Sequence, residues 1–245
     1  MFVLLALVFG VGFVVFGVGG GIPGTSLGDI LSNNSGTSGP SVSELQDKIK
    51  KNPKDAEAYR DLATQLQQDG EIQQAIGTLK TLTKLQPKDA KALAQLGSLY
   101  LTQANQYTQR ADRVQAEFAQ LNPGAIVPAL TTANGQPVLS NPLIDPGASE
   151  LTNRYTTAVT NEQSAYSSAE AVYKRLAGLT PRDTQAQLQL AQVAESAGDG
   201  QTAIAAYRKV LALSPNDPNA PAIRERIKSL VQALQQQAAQ ASSSG

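Results

Sequence analysis

A short motif, proline followed two residues later by aspartate, recurs four times along the chain. The copies are Pro53-Lys54-Asp55, Pro87-Lys88-Asp89, Pro181-Arg182-Asp183 and Pro215-Asn216-Asp217. The first two copies are 34 residues apart, and so are the last two. Proline cannot continue a helix, and aspartate can accept a hydrogen bond from the amides that open the next one. A fixed period of this length is typical of stacked two-helix units, because each unit needs a neighbour to bury its apolar face.

Apolar and small residues at helical spacing fill the intervals between the motifs. In the first unit a turn signal at Asp69-Gly70 separates two such sets, which are Tyr59, Leu62, Ala63 and Leu66, and then Ala75, Leu79, Leu82 and Leu85. In the last unit Gly198-Asp199-Gly200 separates Leu190, Ala191 and Ala194 from Ala203, Tyr207, Val210 and Leu213. Each unit is therefore predicted to be a helix, a glycine turn and a second helix.

These positions resemble the tetratricopeptide repeat (TPR), a 34-residue helix–turn–helix with an aromatic near its start and a closing proline. The small residue of the family's leucine-glycine pair is matched by Ala63, Gly97 and Ala191. The alanine in the middle of the second helix is matched by Ala75, Ala169 and Ala203. The large residue after that alanine is matched by Leu79, Tyr173 and Tyr207. At the opening aromatic position Tyr59 fits, whereas Gln187 departs from the pattern. The resemblance implies an all-α, right-handed α-solenoid of about three repeats over residues 54–217, with capping helices at both ends.

The middle unit is longer than the others, since Pro87 and Pro181 are 94 residues apart where 34 would suffice. Apolar and small residues alternate spacings of three and four on both sides of the extra stretch, from Tyr100 to Leu121 and from Leu151 to Leu179. This spacing predicts that both helices of the repeat are lengthened into an antiparallel coiled-coil hairpin, with residues 105–164 as an insertion. Alanine is frequent in the seam, which also contains Glu162.

The tip of the predicted hairpin, residues 122–147, is rich in proline but carries apolar clusters such as Ala125-Ile126-Val127 and Leu143-Ile144. Loops of this length are uncommon unless they are functional or disordered. The tip either folds back over the coiled coil or docks onto another protein, and the sequence leaves both alternatives open.

No charged residue occurs between Met1 and Ile22, and the first ionisable side chain is Asp29. About 20 apolar residues are enough to span a bilayer core, so residues 1–22 are predicted to be a transmembrane helix. A cleavable signal peptide is the alternative. The Gly- and Ser-rich residues 23–42 form a predicted flexible linker. The resulting expectation is a single-pass protein of the cell membrane with its repeats on the extracytoplasmic side.

Shorter segments flank the repeats. Residues 43–53 are predicted to form an N-terminal capping helix, and residues 218–238 a C-terminal one whose outer face is polar. Residues 239–245 lack large apolar side chains, so we expect a disordered tail.

Composition excludes several kinds of chemistry. The chain has 0 histidines and 0 cysteines, so it cannot assemble a Ser-His-Asp triad, a thiol nucleophile or a zinc site of ordinary composition. We therefore predict no enzymatic activity, cofactor or metal. Its 20 basic and 20 acidic residues balance, which gives no large field to attract nucleic acid. An enzyme that uses carboxylates alone is the remaining catalytic alternative.

The resemblance implies a concave, protein-binding groove lined by the first helix of each repeat. The residues placed there are Arg60, Thr64, Gln67, Lys91, Ala94, Ser98, Leu101, Leu188, Gln192 and Glu195. The set is mixed and mostly neutral, which favours an extended peptide or a partner helix held by a few apolar anchors. The expected function is a membrane-tethered scaffold for unidentified protein partners. The alternative is an envelope assembly factor or holding chaperone with many clients.

Overall fold

The computed structural model of the protein describes residues 40–121 and 146–243. Within these ranges the chain forms eight α-helices and no strand. They are α1 (Val42–Lys51), α2 (Ala56–Gln68), α3 (Ile72–Leu85), α4 (Ala90–Leu121), α5 (Pro146–Leu179), α6 (Thr184–Ser196), α7 (Gly200–Leu213) and α8 (Ala220–Ser243). The predicted membrane helix, all of the linker before residue 40 and residues 122–145 of the predicted tip lie outside the described residues. None of the described helices is both long and apolar enough to cross a bilayer.

The aspartates of the repeated motif cap the first helix of each repeat. Asp55 accepts a hydrogen bond from the amide of Ala58, and Asp89 accepts one from the amide of Ala92, both at 3.0 Å. Asp183 accepts from the amides of the second and third residues after it. The motif therefore fixes where α2, α4 and α6 begin, because these acceptors satisfy amides that lack a partner within the helix.

A glycine with positive φ joins the two helices of the outer repeats. Gly70 and Gly198 both have φ of 80°. The residue after each glycine donates a hydrogen bond back to the preceding helix. The amide of Glu71 donates to the carbonyl of Leu66, and the amide of Asp199 donates to the carbonyl of Ala194, both at 2.8 Å. Glycine adopts this left-handed conformation without steric cost, so both helices end where the sequence predicts a turn.

Small residues at the predicted positions allow the helices to pack closely around one core. Ala63, Ala75, Ala191 and Ala203 have no exposed surface, and Leu79, Leu82, Leu93 and Leu99 fill the space between the helices. Gln187 stands where the family pattern has an aromatic, yet it is only 3% exposed. Its side-chain amide donates to the carbonyl of Ala177 at 3.2 Å, so a hydrogen bond compensates the burial of a polar group.

The longest helices, α4 and α5, pack against each other in antiparallel orientation. As the chain advances along α4, its partners move back along α5: Gly97 lies against Tyr173, Thr108 bonds to Glu162 and Glu117 pairs with Arg154. The predicted seam is largely buried, with Ala104, Ala111 and Val114 facing a buried set that consists of Leu151, Ala158, Ala165, Ala169, Val172 and Leu176. Leu179 was assigned to this seam incorrectly, since it lies at the end of α5 and is 39% exposed.

The C-terminal helix differs from its prediction at both ends. α8 begins at Ala220 because Asp217 accepts a hydrogen bond from the amide of Asn219 at 2.7 Å, which forms a local turn after Pro218 and delays the helix. It continues to Ser243, through most of the predicted disordered tail. Glutamine and alanine favour helix strongly enough to extend it without apolar contacts. The hand of the superhelix stays a prediction.

Candidate functional site

The predicted groove residues lie on α2, α4 and α6. Two contacts hold the faces of α2 and α4 side by side: Arg60 Nη1 lies 2.6 Å from Asp89 Oδ2, and Gln95 Nε2 donates to Thr64 Oγ1 at 2.9 Å. Arg60 and Thr64 therefore join neighbouring repeats. Asp89 serves two purposes, since its other oxygen caps α4. The contact also leaves no unpaired cation at position 60 to attract an acidic ligand.

Glu195 is likewise engaged within the protein. Its Oε2 accepts a hydrogen bond from the Tyr207 hydroxyl at 3.2 Å, and its Oε1 forms an ion pair with Arg226 of α8. The Tyr207 hydroxyl is a donor at neutral pH even with its ordinary pKa, and burial raises that pKa further. The sequence did not indicate that an arginine of the C-terminal helix would neutralise the Glu195 carboxylate. That Glu195 contacts a ligand stays a prediction.

The other seven predicted residues keep accessible surface. Gln67 and Lys91 are exposed, and five are half-buried, namely Ala94, Ser98, Leu101, Leu188 and Gln192. Ala94, Leu101 and Leu188 pack on the core with one side and present apolar surface with the other. Lys91 is the one charged residue among the seven. Such a surface is suited to apolar side chains and neutral backbone groups. That it forms a continuous groove from α2 to α6 stays a prediction.

A cluster of charged and hydroxyl side chains fixes the long helical pair to the last repeat. The cluster lies at the base of the pair, which is the part of α5 that lies next to the repeats. Lys174 Nζ lies 2.6 Å from Glu170 Oε1 and 3.1 Å from Asp199 Oδ2. The first contact is an ion pair by distance, although its angles fall outside those of a regular hydrogen bond. Hydrogen bonds from the hydroxyl and amide of Thr202 lower the pKa of Asp199, with a smaller effect from Lys174. Glu170 in turn raises the pKa of Lys174.

The same helix is fixed to the first repeat by Arg175. Its Nη2 donates to the carbonyls of Thr83 at 3.5 Å and of Pro87 at 3.4 Å. On the other side, Gln163 Nε2 donates to the carbonyl of Ala197 at 2.6 Å. These bonds hold α5 between the end of α3 and the turn before α7, so the long pair is anchored on both sides at its base.

Further out, an open cleft of about 600 Å³ lies between α4 and α5. Its lining includes Tyr107, Arg110, Glu117 and Arg154. The guanidinium of Arg110 lies 5.2 Å from the centre of the Tyr107 ring, and Arg154 Nη1 lies 3.1 Å from Glu117 Oε2. Arg110 and Arg154 thus already have an aromatic face and a carboxylate as partners. The lining holds three arginines, the third being Arg113, and two glutamates, Glu117 and Glu150, so the cleft has no strong surplus of either charge.

The pairs Arg60–Asp89, Lys174–Asp199 and Glu195–Arg226 were missed by sequence reasoning. Each joins a helix to a residue of another helix or of the turn before one, and no spacing rule relates the two partners. Asp89 and Asp199 had local signals, the position after Pro87 and the Gly198-Asp199-Gly200 turn, but these signals predict a cap and a turn and not an ion pair.

Two tetratricopeptide-repeat family models match the chain, one over residues 35–96 and the other over residues 162–218. Residues 97–161, which include most of the long helical pair, lie between the two matches. No curated protein matches the sequence. Together with the helices described above, the two matches support TPR units at both ends of the array. The described residues form an all-α, TPR-like helical solenoid, as predicted.

Several solved structures share limited similarity with the chain. The TPR protein YrrB, described as having an unusual peptide-binding site, is 17% identical, with coverage of 78% of this chain and 88% of that chain and a TM-score of 0.26. A thermophilic TPR protein of Thermus thermophilus is 23% identical, with coverage of 78% and 89% and a TM-score of 0.27. MamA of Desulfovibrio magneticus RS-1 is 16% identical, with coverage of 74% and 92% and a TM-score of 0.25. TM-scores this low support no argument about site or partner.

Proposed function

We propose that this protein is a membrane-tethered TPR scaffold that holds a peptide or a partner helix against the first helices of its repeats. TPR proteins generally mediate protein–protein interactions and are generally not enzymes. The uncharged residues 1–22 support a single membrane span, and we place the repeats on the extracytoplasmic side.

The observation that carries the proposal is the accessible surface on α4 and α6. Ala94, Leu101 and Leu188 are apolar and half-buried in the described part of the chain. Neutral hydrogen-bonding side chains flank them, namely Gln67, Ser98 and Gln192. A binding site for a helix or an extended peptide needs this combination, since apolar anchors supply affinity and neutral polar groups satisfy the ligand backbone.

We further propose that residues 105–164 are an insertion in the middle repeat, and that the projecting pair of helices offers a second docking position at its tip. The two family matches support this division because they leave residues 97–161 between them. The contacts of Arg175 and Lys174 at the base would keep such an arm at a fixed angle to the stack.

The test is affinity capture of the full chain from native membranes, with the N-terminal segment intact. The groove variant is Ala94→Arg/Leu101→Arg/Leu188→Arg. Its matched control, Ala171→Arg/Ala205→Arg/Ala212→Arg, adds the same charge at exposed positions of the second helices. We expect the groove variant to lose a recurring partner that the control retains. Equal recovery with both variants would contradict a groove-binding function.

Two further results separate the alternatives. A broad mixture of captured proteins, in place of one recurring partner, would favour the holding chaperone. The neutral character of the surface, which sets few constraints on a ligand, is the observation that favours this second candidate. A variant lacking residues 105–164 that recovers the same partner would show that the projecting pair is not the recruiting element.

A further inference from the structure

The four turns that contain the repeated prolines lie next to one another and form one edge of the array. We call this the proline edge; it comprises turns 52–55, 86–89, 180–183 and 214–217 and the last turn of the helix before each. Gln86 Nε2 donates to the carbonyl of Lys54 at 3.3 Å, which joins the first two turns. Arg175, in the last turns of α5, donates to the carbonyl of Pro87 at 3.4 Å. The hydroxyls of Thr184 and Ser214 lie 3.3 Å apart and join the third and fourth turns.

Exposed cations lie at three of the four turns of this edge. They are Lys51 and Lys54 at the first turn, Lys84 and Lys88 at the second, and Arg182 at the third. No acidic side chain of the described residues lies within 4.0 Å of any of these five. Lys50 is different, since it pairs with Asp47 at 2.9 Å.

The acidic residues of the same edge are engaged in helix caps or in a local turn. Asp55, Asp89 and Asp183 accept hydrogen bonds from the amides that open the next helix, and Asp217 accepts one from Asn219. The positive end of each capped helix offsets part of that charge. On the opposite edge the turn residues Asp69 and Glu71 are exposed and acidic. The proline edge therefore presents five exposed cations that have no acidic partner within 4.0 Å in the described part of the chain, while its aspartates accept hydrogen bonds from backbone amides.

The proline edge also exposes large apolar side chains. Leu85 is 47% exposed and Leu179 is 39% exposed, and each stands two residues before an exposed proline. Arg175 contacts Thr83 and Pro87, which flank Leu85, so the end of α5 lies beside the second turn. Leucines between flexible lysines are typical of surfaces that lie on membranes, where apolar groups enter the headgroup region and cations meet lipid phosphates.

We propose that the proline edge binds the surface of a membrane that contains anionic phospholipid. Charge complementarity selects the partner, because unpaired cations spread along a row of turns match an extended anionic surface. The exposed leucines favour lipid over a soluble acidic protein. The inference is independent of the groove, and it gives the repeats a second membrane contact besides the proposed tether. Bound in this way, the array would lie with its turns on the bilayer.

The chain contains 0 tryptophans, so a single introduced tryptophan is a clean reporter. Leu85→Trp places it on the proline edge. Val159→Trp places it at a residue of α5 that is also exposed, at 38%, but that lies outside the edge. The full chain of each variant is reconstituted into phosphatidylcholine vesicles with or without phosphatidylglycerol, and its fluorescence is measured with lipids that carry brominated acyl chains as quenchers.

We expect quenching and a blue shift for Leu85→Trp only when phosphatidylglycerol is present, and neither change for Val159→Trp. Adding Lys54→Gln/Lys88→Gln/Arg182→Gln should abolish the effect, since each cation near an anionic surface contributes about fivefold to binding and three contribute about a hundredfold. The matched set Lys80→Gln/Arg208→Gln/Lys209→Gln, which removes the same charge from exposed helix faces, should leave the effect intact. Circular dichroism verifies that each variant is folded.

Equal quenching at positions 85 and 159, equal quenching in vesicles of phosphatidylcholine alone, or equal losses in the two charge variants would each overturn the proposal. A response of Leu85→Trp to soluble polyglutamate, with none to vesicles, would assign the edge to an acidic protein. Flotation in phosphatidylcholine vesicles reports the tether separately, so the failure of one proposal can be distinguished from the failure of the other.

Discussion

The contact between Gly97 and Tyr173 gives a quantitative test of how α4 and α5 pack. A Cβ atom at position 97 would lie 2.7 Å from Cε2 and 2.8 Å from Cζ of the Tyr173 ring. The ring is only 3% exposed, and burial raises the pKa of Tyr173 to about 12. The ring therefore has no free path into solvent, and Gly97→Ala must displace it or separate the helices.

Two opposing effects determine how much Gly97→Ala changes the free energy of unfolding. Replacing glycine by alanine within a helix stabilises by about 1 kcal/mol, whereas forcing an extra methyl group into a packed core costs about 1–3 kcal/mol. Gly77→Ala in α3 isolates the first effect, because a Cβ at that position has no neighbour within 4 Å. The difference in unfolding free energy between the two variants then equals the packing cost. We expect Gly97→Ala to be the less stable by about 1–3 kcal/mol.

The assay is urea unfolding of the full chain in mild detergent, followed by far-ultraviolet circular dichroism. In thermal unfolding, a difference of about 1 kcal/mol in unfolding free energy corresponds to about 2–4 °C in melting temperature for a protein of this size. Tyr173→Leu removes the ring, and in that background Gly97→Ala should no longer destabilise. If Gly97→Ala proves as stable as Gly77→Ala, the helices do not approach each other as closely as described.

Variants of two aspartates, Asp89 and Asp199, test the caps and the charged cluster. Asp89→Asn keeps an acceptor for the start of α4 but loses the ion pair with Arg60, so it should lower the free energy of unfolding by about 1 kcal/mol. Asp89→Ala loses the cap as well and should lower it by about 2 kcal/mol. Urea midpoints should show a larger loss of stability for Asp89→Ala than for Asp89→Asn. Asp55→Ala serves as the control that removes a cap only. Equal losses for both Asp89 variants would contradict the prediction. Because the pKa of Asp199 is lowered in the folded state, its stabilisation is complete above about pH 5 and declines as the pH falls further. Melting temperatures at about pH 5 and pH 3 should therefore differ less in Asp199→Asn than in the natural protein, and an unchanged difference would show that Asp199 has no such role.

Local rules explain why the helices could be predicted. The prolines, the capping aspartates and the glycines of the turns act within a few residues of their own position, and the 34-residue period is a direct consequence of repeating them. The long pair was predictable for a similar reason, since alternate spacings of three and four require a facing helix. Leu179 shows where this reasoning fails, because the period continues to the last residue of α5 although that residue stays largely exposed.

The groove was less predictable because its residues depend on the neighbouring helices. Position 195 lies on the first-helix face in the family pattern, but whether it contacts a ligand depends on Arg226, which lies 31 residues away on a different helix. Arg60 is another case, since its partner Asp89 is the cap of the following repeat. Side-chain pairs between helices follow from tertiary packing, and a single sequence contains no periodic signal for them.

Site-specific photo-crosslinking tests the central proposal, a scaffold that binds partners on its first helices, most directly. A photoreactive residue is introduced into the full chain in native membranes at Ala94 or Gln192, and at the exposed Ala205 of α7 as the control position. We expect the same discrete crosslinked product from positions 94 and 192 and none of it from position 205. The same product from all three positions, or no product from positions 94 and 192, would contradict a partner-binding surface on α4 and α6.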